Sequence, residues 1–189
     1  MNGFDFTHHI ARVCADMAAR VEEFRHIDMS LVAVSFRQTR KRMRGGLYAS
    51  LTPLRFAGGQ THSVRRGRNW KIQRVVLDGC EMLYLLNFYL PRFLDLPFTE
   101  KLTTIAHELL HVGPHFDGDL RRFGGRCYAH SHSHAEFDAH AAKLGQHWLA
   151  SSPDESLYSF LHLDFRNLQS RHGRIFGRRV AAPKLLPAE

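Results

Sequence analysis

The chain has 189 residues, of which 44% are hydrophobic and 23% charged, a composition that fits a globular protein and excludes global disorder. No apolar run reaches the roughly 18 residues that a membrane span needs, so a membrane protein is not expected. The three widely spaced cysteines and the absence of a signal-peptide pattern favour the cytoplasm. The net charge of +8 makes nucleic acid a candidate partner through the arginine-rich segments 37–44, 65–71 and 166–184.

The first predicted element is an amphipathic helix at residues 7–24, where apolar residues recur at three- and four-residue steps and Thr7 is a candidate N-cap. Alternating and apolar patterns then predict strands. The predicted strand segments are 27–36, 48–56, 70–77 and 82–89. Asp78-Gly79, between the last two segments, is a strong hairpin signal because both residue types accept the positive φ of a tight turn.

Two further helices follow the predicted strands. The first begins at Thr99, a candidate N-cap, carries a helical apolar pattern and ends at Gly113-Pro114. A glycine- and arginine-rich loop then leads to the second, which begins at Ser133, a residue with capping-box spacing to Glu136. The second helix also carries one apolar stripe, as a helix packed against a core requires.

The order of elements predicts an α+β fold, in which a small antiparallel or mixed sheet packs on the N-terminal helix and the two later helices. We expect residues 1–152 to form a single domain, with the candidate metal site in residues 99–150. Residues 153–189 are expected to form a basic, partly ordered C-terminal extension.

The sequence from His107 to His111 reads His-Glu-Leu-Leu-His, an HExxH motif on the second predicted helix. Residues i and i+4 lie one above the other on a helix, so both imidazoles can bind one Zn²⁺ ion. Glu108 stands where it can take a proton from zinc-bound water, whose pKa the ion lowers to about 7. The motif therefore predicts a zinc-dependent hydrolase in which Glu108 is the catalytic acid and base.

A catalytic zinc needs a third protein ligand, and the region after the motif offers several. We choose His130, just before the third helix, because imidazole suits zinc and a helix start is rigid enough to hold a ligand. His132 and His134 stay open as alternatives, as does the carboxylate of Asp117. The histidine run is also typical of a surface tract that scavenges metal without a catalytic role.

The HELLH motif and the histidines after it resemble those of zincin metallopeptidases, and among these most the minimal SprT-like and phage-type metallopeptidases. The resemblance covers roughly residues 80–150. Those proteins place HExxH on one helix and a third histidine just before the next, often followed by an aromatic residue, as Phe137 follows here. In the SprT-like pattern a His-Gly pair stands four residues before the aromatic residue, a spacing that Ser133 has here. The resemblance implies a minimal zincin-like domain and a peptidase that acts on protein or peptide substrates, including DNA-associated protein.

Other features leave alternatives open. Arg126 and Tyr128 are candidates to border the site and stabilise a developing oxyanion or the substrate. A strand at 82–90 could hold an extended peptide if its edge were free, although its apolar run favours an ordinary buried strand. The alternative function is a non-enzymatic zinc- or nucleic-acid-binding module that uses the histidine cluster and the arginine-rich segments. A third is a metal hydrolase that acts on a non-peptide bond.

Overall fold

The computed structural model describes residues 3–39, 46–122 and 134–188, which form a mixed α+β fold. The helices are α1 (Phe6–Arg20), α2 (Phe98–Leu110), α3 (His134–Ala150), α4 (Glu155–Tyr158) and α5 (Phe165–His172). The strands are β1 (Phe4–Asp5), β2 (Val32–Gln38), β3 (Ala49–Pro53), β4 (His62–Arg65), β5 (Arg68–Ile72), β6 (Val76–Leu77), β7 (Cys80–Glu81), β8 (Tyr84–Leu90), β9 (Ile175–Phe176) and β10 (Leu185–Pro187).

A mixed three-stranded sheet with the order β2-β8-β3 lies at the centre of the fold. β8 pairs in parallel with β2 and antiparallel with β3, so it is hydrogen-bonded along both edges. Its residues are almost all apolar and buried, as a strand covered on both faces requires. The idea that residues 82–90 offer a free edge to a peptide is therefore wrong. Among the strands that the structure describes, β3 is the edge strand that packs beside α2.

The main core lies between this sheet and helices α1, α2 and α3. α1 buries one apolar face, which includes Ile10 and Met17, because its apolar residues recur with the period of the helix. The helix begins at Phe6, one residue before the predicted start, and ends at Arg20, four residues before the predicted end. The Asp5 carboxylate accepts a hydrogen bond from the His8 amide at 3.0 Å, so Asp5 rather than Thr7 is the N-cap.

α2 and α3 pack against each other over much of their length. Gly145 allows this close approach, since a Cβ atom there would lie 3.3 Å from the Leu102 Cβ. The prediction of α2 is confirmed within two residues, although its N-cap position is Pro97 rather than Thr99. No helix within the described ranges is long and apolar enough to cross a membrane.

The smaller sheets attach to this core. The hairpin signal at Asp78-Gly79 is confirmed, but the turn joins the two-residue strands β6 and β7 rather than two long strands. A second, antiparallel sheet has the order β10-β5-β4. The segment after residue 152, expected to be a partly ordered extension, contributes β9 to a pair with β1 and contributes Leu161 and Leu168 to the main core.

Candidate metal centre

The rings of His107 and His111 converge at the C-terminal end of α2. His111 follows the last helical residue but keeps helical backbone angles, so the two side chains lie one turn apart on the same face. Their Nε2 atoms are 3.1 Å apart. Two ligands about 2.1 Å from one tetrahedral ion lie about 3.4 Å apart. A small rotation of either ring therefore brings the two nitrogens to the separation that a shared ion needs.

Helix α3 supplies the groups that orient these two rings. The buried Phe137 ring stacks on His111, with centroids 5.0 Å apart, and meets the His107 ring nearly edge-on at 4.9 Å. Asp138 Oδ1 lies 2.8 Å from His107 Nδ1. A carboxylate can only accept this hydrogen bond, so the proton lies on Nδ1 and the Nε2 lone pair faces His111. This is the tautomer that a metal ligand requires.

Glu108 lies beside these rings with only 7% of its surface exposed. Burial raises the pKa of its carboxyl to about 7, and a hydrogen bond from the Leu51 backbone amide opposes part of this rise. Glu108, His107 and Asp138 line one side of a cleft of about 380 Å³. A carboxyl whose pKa lies near neutrality can both accept and release a proton at physiological pH.

The predicted third ligand, His130, lies outside the described residues. Four predicted site residues lie outside them: His130, His132, Arg126 and Tyr128. His134 is the first residue of α3 and is exposed. Burial lowers the pKa of His107, Asp138 opposes this change, and the charge of His134 lowers that pKa further. Within residues 3–39, 46–122 and 134–188, no three His, Cys, Asp or Glu side chains converge as a metal site would.

The loop after α2 is fixed by its own hydrogen bonds. Asp117 Oδ1 accepts from the Asp119 amide at 3.1 Å, so the alternative ligand takes part in loop structure. The Asp119 carboxylate accepts from the Gly58 amide at 3.0 Å and from the Arg122 guanidinium at 2.8 Å, and the second contact is an ion pair. The Tyr84 hydroxyl donates to the Asp119 carbonyl at 2.8 Å. These contacts anchor the chain directly after α2.

Sequence reasoning missed Asp138 and the role of Phe137 beside the rings. A signal was present, because both residues lie within one turn of His134 on the predicted third helix. Their partners, however, lie on α2, and the distance between two helices cannot be read from spacing along one of them. The sequence marked Phe137 as part of an apolar stripe and as the aromatic residue of the zincin-like pattern, but not as a ring that packs on both histidines.

Comparison with known proteins identifies no matching family model, no matching curated protein and no matching solved structure. The chemistry of the cleft therefore has to be inferred from its side chains. The cleft supplies the His107 imidazole, the Asp138 carboxylate that orients it and the buried Glu108 carboxyl, and the His111 imidazole lies directly behind, with its Nε2 3.1 Å from that of His107. Imidazole nitrogens suit Zn²⁺ and similar ions, whereas Mg²⁺ and Ca²⁺ prefer oxygen ligands.

Proposed function

We propose that the chain is a zinc-dependent metallohydrolase of the zincin type that cleaves peptide bonds. The observation that carries this proposal is the 3.1 Å approach of the His107 and His111 Nε2 atoms beside the buried Glu108 carboxyl. The donor set fits zinc because both ring nitrogens are of the type that the ion prefers. The third ligand that we propose is His130, with His134 and His132 as alternatives.

Each described residue of the cleft then has a chemical task. When bound, zinc would polarise the carbonyl oxygen of the scissile bond and lower the pKa of a coordinated water. Glu108 accepts a proton from water as its oxygen adds to the carbonyl carbon, and then delivers that proton to the nitrogen of the leaving amine. Asp138 keeps the His107 proton on Nδ1 throughout. Arg126 and Tyr128 remain candidates for stabilising the oxyanion.

The edge of the central sheet supports a peptide as the substrate. The backbone amide of Leu51 on β3 donates to Glu108, so this amide points away from β8 and toward the cleft. Leu47, Tyr48 and Ala49, which lead into β3, line the cleft opposite α2. An extended peptide can add to such an edge through backbone hydrogen bonds and be held beside Glu108.

A cytoplasmic location is part of the proposal. Cys14 is buried and Cys80 is exposed, and both are free thiols. An exposed free thiol is typical of a reducing compartment, since oxidising compartments favour paired cysteines. Burial raises the pKa of the Cys14 thiol to about 12, so this thiol behaves as a small apolar side chain.

Substituting Glu108→Gln tests the proposed function. The amide keeps the size of the side chain but cannot accept the proton, so we expect turnover of an unstructured protein substrate to fall by about 10²- to 10⁴-fold. Bound zinc, measured by elemental analysis of the purified protein, should stay at the wild-type level. His107→Ala should instead lose both zinc and activity.

The matched control is Glu100→Gln, which makes the same change in an exposed residue on the same helix and in the same cleft. Its turnover should stay within a few-fold of wild type. The proposal is wrong if wild-type protein binds no zinc, or if Glu108→Gln and Glu100→Gln have equal activity. A non-enzymatic zinc-binding module would give the second result.

A further inference from the structure

The positive charge of the chain is concentrated in one stretch of its sequence. Residues 29–77 contain 11 Lys and Arg and no Asp or Glu. The other 140 residues contain 15 basic and 18 acidic residues, so they are slightly acidic as a group. The net charge of +8 therefore comes entirely from residues 29–77. A generally basic surface that serves solubility has no need of this separation.

Within that stretch, β4 and β5 form an exposed hairpin, which we call the basic hairpin (residues 62–71). Arg65 and Arg68 lie directly opposite each other at its end. Arg66 and Gly67 form the two-residue turn, with φ angles of 52° and 72°. Positive φ at both turn residues is the type I′ geometry that matches the twist of the flanking strands. All three arginines are exposed to solvent.

Two features of the basic hairpin oppose its folding. Like charges directly opposite each other on a strand pair repel, as Arg65 and Arg68 do. The first position of a type I′ turn favours Gly, Asn or Asp. Arg66 occupies it here, so a residue with a long side chain adopts the left-handed backbone conformation. None of the ion pairs in the described part of the chain joins these arginines to a carboxylate. The Arg65 guanidinium lies 5.7 Å from the centroid of the Phe56 ring, a weak cation–π contact, and a polyanion would relieve the remaining repulsion between Arg65 and Arg68.

The end of the basic hairpin projects beyond the sheet that supports it. β10 pairs with β5 as far as Pro187 opposite Trp70, and the Ala188 amide then donates to the Asn69 carbonyl at 2.9 Å. Beyond Asn69 the hairpin is two-stranded. From Asn69 to Gly67 the chain advances about 7 Å at roughly 3.3 Å per residue. The major groove of B-DNA is about 8.5 Å deep and admits a two-stranded ribbon. The major groove of A-form RNA is narrow and closed to side chains.

We propose that the basic hairpin binds duplex DNA without sequence preference, with its tip at the major groove and its arginines on the flanking phosphates. Arginine contacts to phosphate position a protein on DNA but carry no sequence information. Each phosphate contact releases counterions, so the affinity depends steeply on salt. This binding is independent of the metal centre.

The test compares two variants that remove the same charge. Arg66→Asn with Arg68→Gln changes the hairpin tip, and Asn suits the left-handed turn position, so folding is preserved. Arg166→Gln with Arg171→Gln removes two exposed arginines from α5 and is the matched control. Affinity for a short labelled DNA duplex of mixed sequence is measured by fluorescence anisotropy at several salt concentrations, with the full chain.

We expect the hairpin variant to bind about tenfold or more weakly than wild type, and the slope of log affinity against log salt to become shallower by about 1.8, since each phosphate contact contributes about 0.9. The control variant should keep the wild-type slope. Equal losses in both variants, or no binding by wild type, overturn the proposal. The proposal is also overturned if the hairpin variant loses binding to phosphatidylserine vesicles but keeps binding to DNA. Hydrolysis of a free peptide should be unchanged, so this test and that of the metal centre can fail separately.

Discussion

At the scale of single residues, the contact between Asp138 and His107 fixes the tautomer of His107, on which the proposed metal binding depends. A neutral imidazole carries one proton, and without a partner the ring places it on either nitrogen. The carboxylate 2.8 Å from Nδ1 holds the proton there and leaves Nε2 as a donor of its lone pair. Metal affinity should therefore depend on a residue that does not itself touch the ion.

We expect Asp138→Ala to weaken zinc binding by about 10- to 100-fold, because the His107 tautomer and ring orientation are no longer fixed. Asp138→Asn should lose less, since its amide oxygen still accepts the Nδ1 proton. Affinity is measured by competition with a fluorescent zinc chelator. Glu155→Ala, which removes an exposed carboxylate from α4, serves as the control and should bind zinc like wild type. Wild-type affinity in Asp138→Ala would show that the contact has no such role.

At the scale of elements, the three long helices α1, α2 and α3 were predictable from local signals, whereas the short helices α4 and α5 and the sheet pairings were not. α2 has a helical apolar period and a Gly-Pro stop, and both act within a few residues. β8 was recognised by its apolar run, but its parallel partner β2 lies about fifty residues earlier in the chain. The sequence of one strand does not indicate which distant strand it pairs with. β9 and β10 are two and three residues long, too short to produce a period.

Lys101 connects α2 by hydrogen bonds to the segment between α4 and α5. Its side chain is 1% exposed, and its ammonium donates to the carbonyl oxygens of Leu161 at 2.7 Å and Leu163 at 2.9 Å. Burial lowers the pKa of this ammonium to about 8, although the carboxylates of Asp164 and Asp95 favour its charged form. The hydrogen bonds from Lys101 to this segment are therefore sensitive to pH.

The lowered pKa of Lys101 determines whether the free energy of unfolding rises or falls with pH. The unfolded chain keeps the Lys101 proton up to a pKa of 10.5, whereas the folded chain loses it near 8, so between these values the unfolded state binds more protons. The contribution of Lys101 to the free energy of unfolding should then rise with pH by up to about 1.4 kcal/mol per unit between these values, and stay constant well below pH 8. Urea unfolding of wild type and Lys101→Met across this range measures the difference. Lys143→Met, an exposed lysine on α3, should follow wild type throughout. Parallel curves for Lys101→Met and wild type would contradict the argument.

At the scale of the whole molecule, the residues after 152 complete the structure that holds the cleft. The Phe36 amide on β2 donates to the Arg178 carbonyl at 3.1 Å, and the Val180 amide donates to the buried Ser35 hydroxyl at 2.9 Å. The C-terminal segment therefore covers the edge of β2 that does not face β8. The sequence favoured a partly ordered extension because this segment is basic and contains little regular period, whereas its long-range hydrogen bonds are with residues 60 or more positions earlier.

A chain that ends at Ser152 should therefore fail to fold cooperatively. It loses four buried side chains of the main core: Leu157, Phe160, Leu161 and Leu168. At about 1.5 to 3 kcal/mol for each buried side chain, this loss amounts to roughly 6 to 12 kcal/mol, which matches the entire stability of a typical domain. The truncation also leaves the Lys101 ammonium buried without its two carbonyl acceptors.

A chain that ends at Lys184 loses only the exposed strand β10, so it should keep a cooperative thermal transition in near-ultraviolet circular dichroism and retain zinc. An equally cooperative transition of the chain ending at Ser152 would contradict this prediction. It would show that the core folds without α4 and α5, and that the sheet and α3 are enough to position α2.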